Sequence, residues 1–169
     1  SAQAAEERYF LAGCRLVPYK RIDLVVEAFK ELGPDYRLKV FGDGLDLPRL
    51  KKIAGEAENI EFVGRVSDDQ KAVYYSRAQA FINPQEEDFG ITQLESMASG
   101  RPVIAYRKGG ATETVKEGET GIFFDQQTPE SLVAAVKSFK SADFHSEKIR
   151  AYAETFSEAR FTQEIKDLV

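Results

Sequence analysis

The stretch from Asn83 to Ala105, NPQEEDFGITQLESMASGRPVIA, is the most informative part of the chain. It reads as the end of a strand, an acidic loop, a helix begun by a glycine and the next buried strand. Two carboxylates stand out, Glu87 in the loop and Glu95 on the helix, with Gly90 between them. A helix starting near Gly90 aims its unpaired backbone N–H groups into the loop, a setting that suits a phosphate. Carboxylates at such an end need something other than phosphate to bind. A nucleotide with an attached sugar offers both parts, phosphate oxygens for the N–H groups and hydroxyls for the acids.

On either side of this stretch, strand and helix patterns alternate along the chain. Tyr9 to Gly13 (YFLAG) reads as a buried strand, followed by the loop CRLVPYK. RIDLVVEAFKEL carries Ile22, Val25, Val26 and Phe29 at helical spacing, and Gly33-Pro34 stops it. Arg37 to Phe41 is a second strand, closed by Gly42-Asp43-Gly44, and Leu45 to about Ala57 is a helix. Asn59 to Val63 is a third strand, and Ser67, with Asp68 and Asp69 behind it, N-caps a helix to about Arg77.

Ala80 to Asn83 is the fourth strand, and the helix beyond the acidic loop presents Ile91, Leu94 and Ala98 on one face before Gly100 ends it. Pro102 to Ala105 and Ile122 to Phe124 supply two more strands, with a helical turn around Thr112 to Lys116 between them. Thr128-Pro129 opens a helix bearing Leu132, Ala135, Val136 and Phe139. From about Phe144 to Val169 two further helices are expected, with a break near Phe156-Ser157.

Connections of this length between strands imply right-handed crossovers and a parallel sheet. The expectation is a doubly wound α/β domain over residues 1–169, with a six-stranded parallel sheet and helices at the C-terminal end. In such sheets ligands sit beyond the carboxyl ends of the strands, so every strand-to-helix loop lies on one rim. That rim collects Arg15 and Lys20 from the first loop, Gly42 and Gly44 from the second and Arg65 from the third. The fourth adds Glu87 and Gly90, and the fifth Gly109 and Gly110. Singly, each is bland: a solvated charge, a tight turn, a polar loop. Gathered on one rim, cations, glycine turns and a helix N-terminus are what a diphosphate needs.

The totals remove whole reaction classes. A net charge of -5 argues against a general nucleic-acid binder. The single cysteine, Cys14, permits no internal disulfide and suggests a reducing, cytoplasmic setting. With His145 as the lone histidine, no His/Cys zinc site is expected, and its polar surroundings, SADFHSEK, read as an exposed helix start. No apolar run approaches a membrane span and SAQAAEERYF has no signal-peptide pattern, which leaves open attachment to a membrane through a partner domain.

Three pieces of the chain resemble a known family, the retaining, nucleotide-sugar-dependent glycosyltransferases of GT-B architecture and family 4 type, and there their carboxyl-terminal donor-binding domain. Arg15-Leu16-Val17-Pro18-Tyr19-Lys20-Arg21 is similar to the family's RLxxxK element, whose Arg and Lys bind the donor diphosphate. Phe62-Val63-Gly64-Arg65-Val66 is similar to FxGxV beside the nucleotide base, and Glu87 to Glu95 matches EX7E. The resemblance implies that Glu87 faces the donor sugar near the reacting carbon and that Glu95 accepts hydrogen bonds from the ribose hydroxyls. It implies that backbone N–H groups of Gly90 and Ile91, with Thr92, hold the phosphates, while Arg15 and Lys20 offset charge on the leaving diphosphate. No DxD motif is present, so neither a metal nor a cofactor is expected; the nucleotide sugar is a substrate.

Glu87-Asp88-Phe89-Gly90 stands where the family often has EGFG, and Thr92 where it often has proline. The wording PYKRIDL and EEDFGI is most like mannosyltransferase-type members, which points to GDP-mannose. The resemblance also implies an N-terminal acceptor domain absent from this chain, an acceptor that is a glycan, a lipid-linked sugar or a small molecule, and a tail, Phe156 to Val169, crossing back to the missing domain. The rival expectations are a nucleotide-binding or regulatory module without chemistry and half of a nucleotide-sugar epimerase.

Overall fold

The computed structural model describes residues 8–86 and 91–156. In chain order it places β1 (Tyr9–Gly13), α1 (Ile22–Leu32), β2 (Leu38–Phe41), α2 (Leu47–Ala54), β3 (Ile60–Gly64), α3 (Asp68–Arg77) and β4 (Ala78–Asn83). There follow α4 (Ile91–Ala98), β5 (Val103–Tyr106), α5 (Ala111–Thr114), β6 (Gly121–Phe124), α6 (Pro129–Ser138) and α7 over residues 146–156. The second of the two closing helices expected from sequence lies outside the described residues.

All six strands are parallel, in the order β3-β2-β1-β4-β5-β6. Every residue of β1 and of β5 is buried, so these strands read as continuous apolar runs rather than alternating ones. The strand order reverses between β1 and β4. Their chains leave for opposite faces of the sheet, and the divergence opens a crevice at the carboxyl ends.

On one face α1, α2 and α6 cover the largest core cluster, which includes Phe10, Ala12, Val40, Ile82 and Ile104. Phe29 of α1 is fully buried and its ring lies 5.6 Å from that of Phe10. Burial of a side chain of this kind contributes roughly 1.5–3 kcal/mol. Asn59, just before β3, fastens the C-terminal end of α1: its Nδ2 donates to the carbonyls of Phe29 (2.8 Å), Gly33 (3.0 Å) and Tyr36 (2.8 Å).

The other face holds two smaller clusters. Tyr9, Leu11, Phe41, Tyr75 and Phe81 pack beneath α3, and Met97, Val103, Ala105, Ala111 and Ile149 pack among α4, α5 and α7. Tyr75 is the one buried residue of α3, so this helix owes its definition to its start. There Ser67 Oγ accepts from the Gln70 N–H at 3.2 Å, and the Ser67 N–H donates to Gln70 Oε1 at 2.9 Å, a complete capping box.

The face expected for α4 is corrected. Ala98 is exposed, Leu94 is half-buried and the Ile91 side chain lies outside the described residues, while Gln93, Ser96 and Met97 are fully buried. Hydrogen bonds offset part of the polar burial, since Thr114 Oγ1 donates to Gln93 Oε1 at 2.9 Å and Ser96 Oγ to the Arg101 carbonyl at 3.1 Å, while the buried Gln93 Nε2 has no partner among the described residues. Of the expected face Leu94 packs against the Met97 cluster and Ala98 does not, and the inward stripe is in part polar. Gly100, at φ 79°, ends the helix as expected, its N–H donating to the Met97 carbonyl at 2.9 Å.

Smaller differences concern helix ends. α2 spans Leu47–Ala54 rather than 45–57, because Gly55 turns positive in φ at 59° directly after it. α5 lies one or two residues earlier than expected, at Ala111–Thr114. Among the described residues no helix is long and apolar enough to cross a membrane.

Candidate functional site

The first three rim loops are clasped together by their backbones. The Leu16 N–H donates to the Asp43 carbonyl at 3.0 Å, Asp46 N–H to the Leu16 carbonyl at 2.9 Å and Gly42 N–H to the Gly64 carbonyl at 2.8 Å. Gly42 (φ 110°) and Gly44 (φ 159°) make the approach possible, since a Cβ on the first would collide with the Cys14 carbonyl oxygen and one on the second with that of Leu16. Their glycine requirement is thus met by the neighbouring loop. The glycine turn after β2 acts as a bed for the loop that carries Arg15 and Lys20.

Charges on this rim fall into two groups. Buried Asp46 accepts two hydrogen bonds from Arg49, at 2.7 and 2.9 Å, and Asp23 receives Arg21 at 3.3 Å and Arg49 at 3.7 Å. The hydrogen bond to Asp46 raises the already high pKa of Arg49. In contrast, Arg15, Lys20 and Arg65 form no ion pair among the described residues. Arg15 and Arg65 are exposed, and half-buried Lys20 holds its Nζ 5.4 Å from the centroid of the Tyr19 ring.

Across the crevice stands α4. Thr92 is half-buried in its first turn, and its carbonyl accepts from the Tyr75 hydroxyl at 3.4 Å. Glu95, one turn on, has Lys71 Nζ at 3.1 Å from Oε2, yet that buried oxygen receives no hydrogen bond. At this distance it is the angle that fails: the ammonium lies off the lone-pair directions and the contact is electrostatic. Burial, and next the charge of the Glu95 carboxylate, push the Tyr75 hydroxyl far above its ordinary pKa. It stays a proton donor.

Sequence reasoning had not singled out Lys71 or Tyr75. They lie four apart on α3, a helix body rather than a rim loop, and only the docking of α3 on α4 turns them toward Glu95. Val66, expected beside a base, packs its side chain against the cluster containing Phe41 and Tyr75. Glu87 and Gly90, the expected sugar-facing acid and phosphate-binding turn, lie outside the described residues, as does the side chain of Ile91.

The fifth loop is tied to α4 from below. Thr114 of α5 bonds Gln93, and its hydroxyl also lies 3.1 Å from the Gly110 carbonyl. His145 is exposed, at the opposite end of the sheet, in a cleft of about 380 Å³ that Lys116, Lys148 and Tyr152 also line, and it takes no part in the rim. Among the described residues no group of three or more His, Cys, Asp or Glu side chains is placed to hold a metal ion.

Residues 1–156 match the family of glycosyl transferases group 1. A GDP-mannose-dependent alpha-(1-6)-phosphatidylinositol monomannoside mannosyltransferase of Mycolicibacterium smegmatis is 35% identical over 136 residues, covering 72% of this chain and 36% of that protein. A D-inositol 3-phosphate glycosyltransferase of Acidothermus cellulolyticus is 30% identical over 152 residues, covering 80% of this chain and 34% of its own length.

Among solved structures, HepE of Anabaena in complex with UDP superposes with a TM-score of 0.77 at 18% identity, over 99% of this chain and 51% of that one. Sucrose-phosphate synthase of Thermosynechococcus elongatus gives 0.79 at 22%, over 100% and 50%. The sheet and its flanking helices are those of a Rossmann-like GT-B domain. The chain spans about a third of the length of these two curated relatives and about half of these two solved chains.

Proposed function

Because the chain belongs to the group 1 glycosyl transferases, we propose that it is the donor-binding domain of such an enzyme, taking a nucleotide-diphosphate sugar in the crevice between β1 and β4. One observation carries this reading. Arg15, Lys20 and Arg65 stand on one rim with no carboxylate partner among the described residues, while neighbouring Arg21 and Arg49 are paired to acids. Cations held apart from acids, two beside the crevice and Arg65 further along the same rim, suit the phosphates of a ligand.

In this proposal Arg15 and Lys20 bind the diphosphate and offset the charge that accumulates on it as the sugar bond breaks. That is electrostatic stabilisation of a leaving group, and it serves where no metal ion does so. The α4 end of the crevice, with the N–H groups of Gly90 and Ile91 and with Thr92, receives phosphate oxygens. Glu95 accepts from the ribose hydroxyls, Gly42, Arg65 and Val66 border the nucleotide, and Glu87 faces the sugar near its reacting carbon. Transfer proceeds with retention to a glycan, lipid-linked or small-molecule acceptor held by a companion N-terminal domain. The relatives named for GDP-mannose-dependent transfer favour GDP-mannose as donor.

Titration calorimetry of GDP, UDP, ADP and their sugar conjugates tests the proposal. One nucleotide should bind selectively, and Lys20→Ala and Glu95→Ala should each weaken it about tenfold or more, since a hydrogen bond to a charged group is worth roughly 1.5–3 kcal/mol. Failure of all three nucleotides to bind, both to this chain and to the chain joined to its companion domain, would sink the proposal.

A further inference from the structure

We infer that Lys71 is a positioning residue for Glu95, and through it a determinant of affinity for the ribose end of a nucleoside diphosphate. The inference rests on the donor-domain reading and adds to it a residue from outside the rim loops. Its basis is the arrangement of α3 against α4. Lys71 lies in the first turn of α3, where its N–H donates to the Ser67 carbonyl at 2.8 Å directly behind the capping box. One turn further, Tyr75 donates to the Thr92 carbonyl of α4, which keeps the two helices in register.

Between these fixed points the Lys71 ammonium sits 3.1 Å from Glu95 Oε2, with the two side chains 28% and 34% exposed. Oε2 itself is buried, so the exposure of Glu95 lies on its other atoms. The cation therefore holds the inward oxygen and leaves the remainder of the carboxylate outward. With Oε2 turned inward, a vicinal diol is met by the two lone pairs of the other oxygen, and a side chain with three free torsions presents them poorly unless the first oxygen is anchored. A purely structural surface pair is the alternative, and such pairs contribute little to stability. The buried, hydrogen-bond-free Oε2 sets this pair apart from the exposed ones elsewhere on the chain, such as Lys116 with Glu119.

The test compares three probes: GDP, 2′,3′-dideoxy-GDP, which lacks the diol, and inorganic pyrophosphate, which lacks the nucleoside. UDP or ADP and the corresponding dideoxy form replace the first two if either is the nucleotide bound. Lys71→Met should weaken GDP about fivefold, leave the other two unchanged and melt within a few degrees of the wild type; Lys71→Arg should restore most of the loss. In a Glu95→Gln background, Lys71→Met should add nothing. Equal weakening of all three probes, or no weakening of GDP in Lys71→Met, overturns the inference while the donor-domain reading stands. Absence of nucleotide binding by the wild type, both alone and joined to its companion domain, overturns both.

Discussion

Replacing Gly42 by alanine should damage the site from beneath. Two costs add. At φ 110° an alanine sits beyond even the left-handed well, which penalises L-residues by about 1–2 kcal/mol. Its Cβ would also collide with the Cys14 carbonyl oxygen and lie 3.1 Å from the carbonyl carbon, so the backbone of the first loop must retreat. Overpacking of this kind costs typically 1–3 kcal/mol. Together they predict a loss of about 3 kcal/mol, which in a chain of this size lowers the melting temperature by about 6–12 °C. Gly33→Ala is the control without a collision: at φ 85° and ψ -169° nothing stands within 4 Å of the added Cβ, and only a backbone cost of about 1–3 kcal/mol applies. Denaturant and thermal melts of both variants decide the matter. If Gly42→Ala loses no more than Gly33→Ala, the two loops are not clasped as described and the account of the glycine turn is wrong.

Other expectations are simpler to state. Asn59→Ala leaves three carbonyls at and beyond the end of α1 without their shared donor and should cost about 2 kcal/mol, read as a shift in urea midpoint at constant slope. Tyr75→Phe tests the raised pKa of that hydroxyl. Above pH about 10 the unfolded chain releases this proton and the folded chain keeps it, so wild-type stability falls with rising pH, by at most about 1.4 kcal/mol per pH unit. The variant lacks that loss, and its midpoint measured from pH 8 to 11 should gain on the wild type; a difference flat with pH refutes the assignment.

Much of this architecture was legible in the sequence because the cues were local. Short apolar runs marked the strands to within two residues, and Ser67 and Thr128 marked helix starts, and Gly33 and Gly100 ends, where the structure has them. What escaped depends on packing between elements. Nothing in the local pattern says that Gln93 and Ser96 face inward and Ala98 outward, since that choice is made by the hydroxyl of Thr114 and the carbonyl of Arg101, residues of other segments. Lys71 escaped for the same reason. Its neighbour Glu95 lies 24 positions away, and no cue in α3 itself names the helix against which it docks.

Strand order decides which rim residues can act together. A common rim for all the strand-to-helix loops follows from parallel strands alone, but only the loops after β1 and β4 flank the crevice, because those neighbouring strands feed opposite faces. The loop after β1 brings Arg15 and Lys20, and α4 follows the loop after β4. Each side has a support one element removed: the glycine turn after β2 beneath the first loop, and α3, through Lys71 and Tyr75, behind Glu95. Substitutions in the two supports should therefore differ in kind, on the proposed reading of the site. Gly42→Ala shifts the backbone carrying the phosphate-binding cations and should weaken pyrophosphate and nucleotide alike, along with stability. Lys71→Met leaves the fold in place and should weaken only ligands with an intact ribose diol. Affinity for a single ligand cannot separate the two effects, whereas pyrophosphate set beside GDP does.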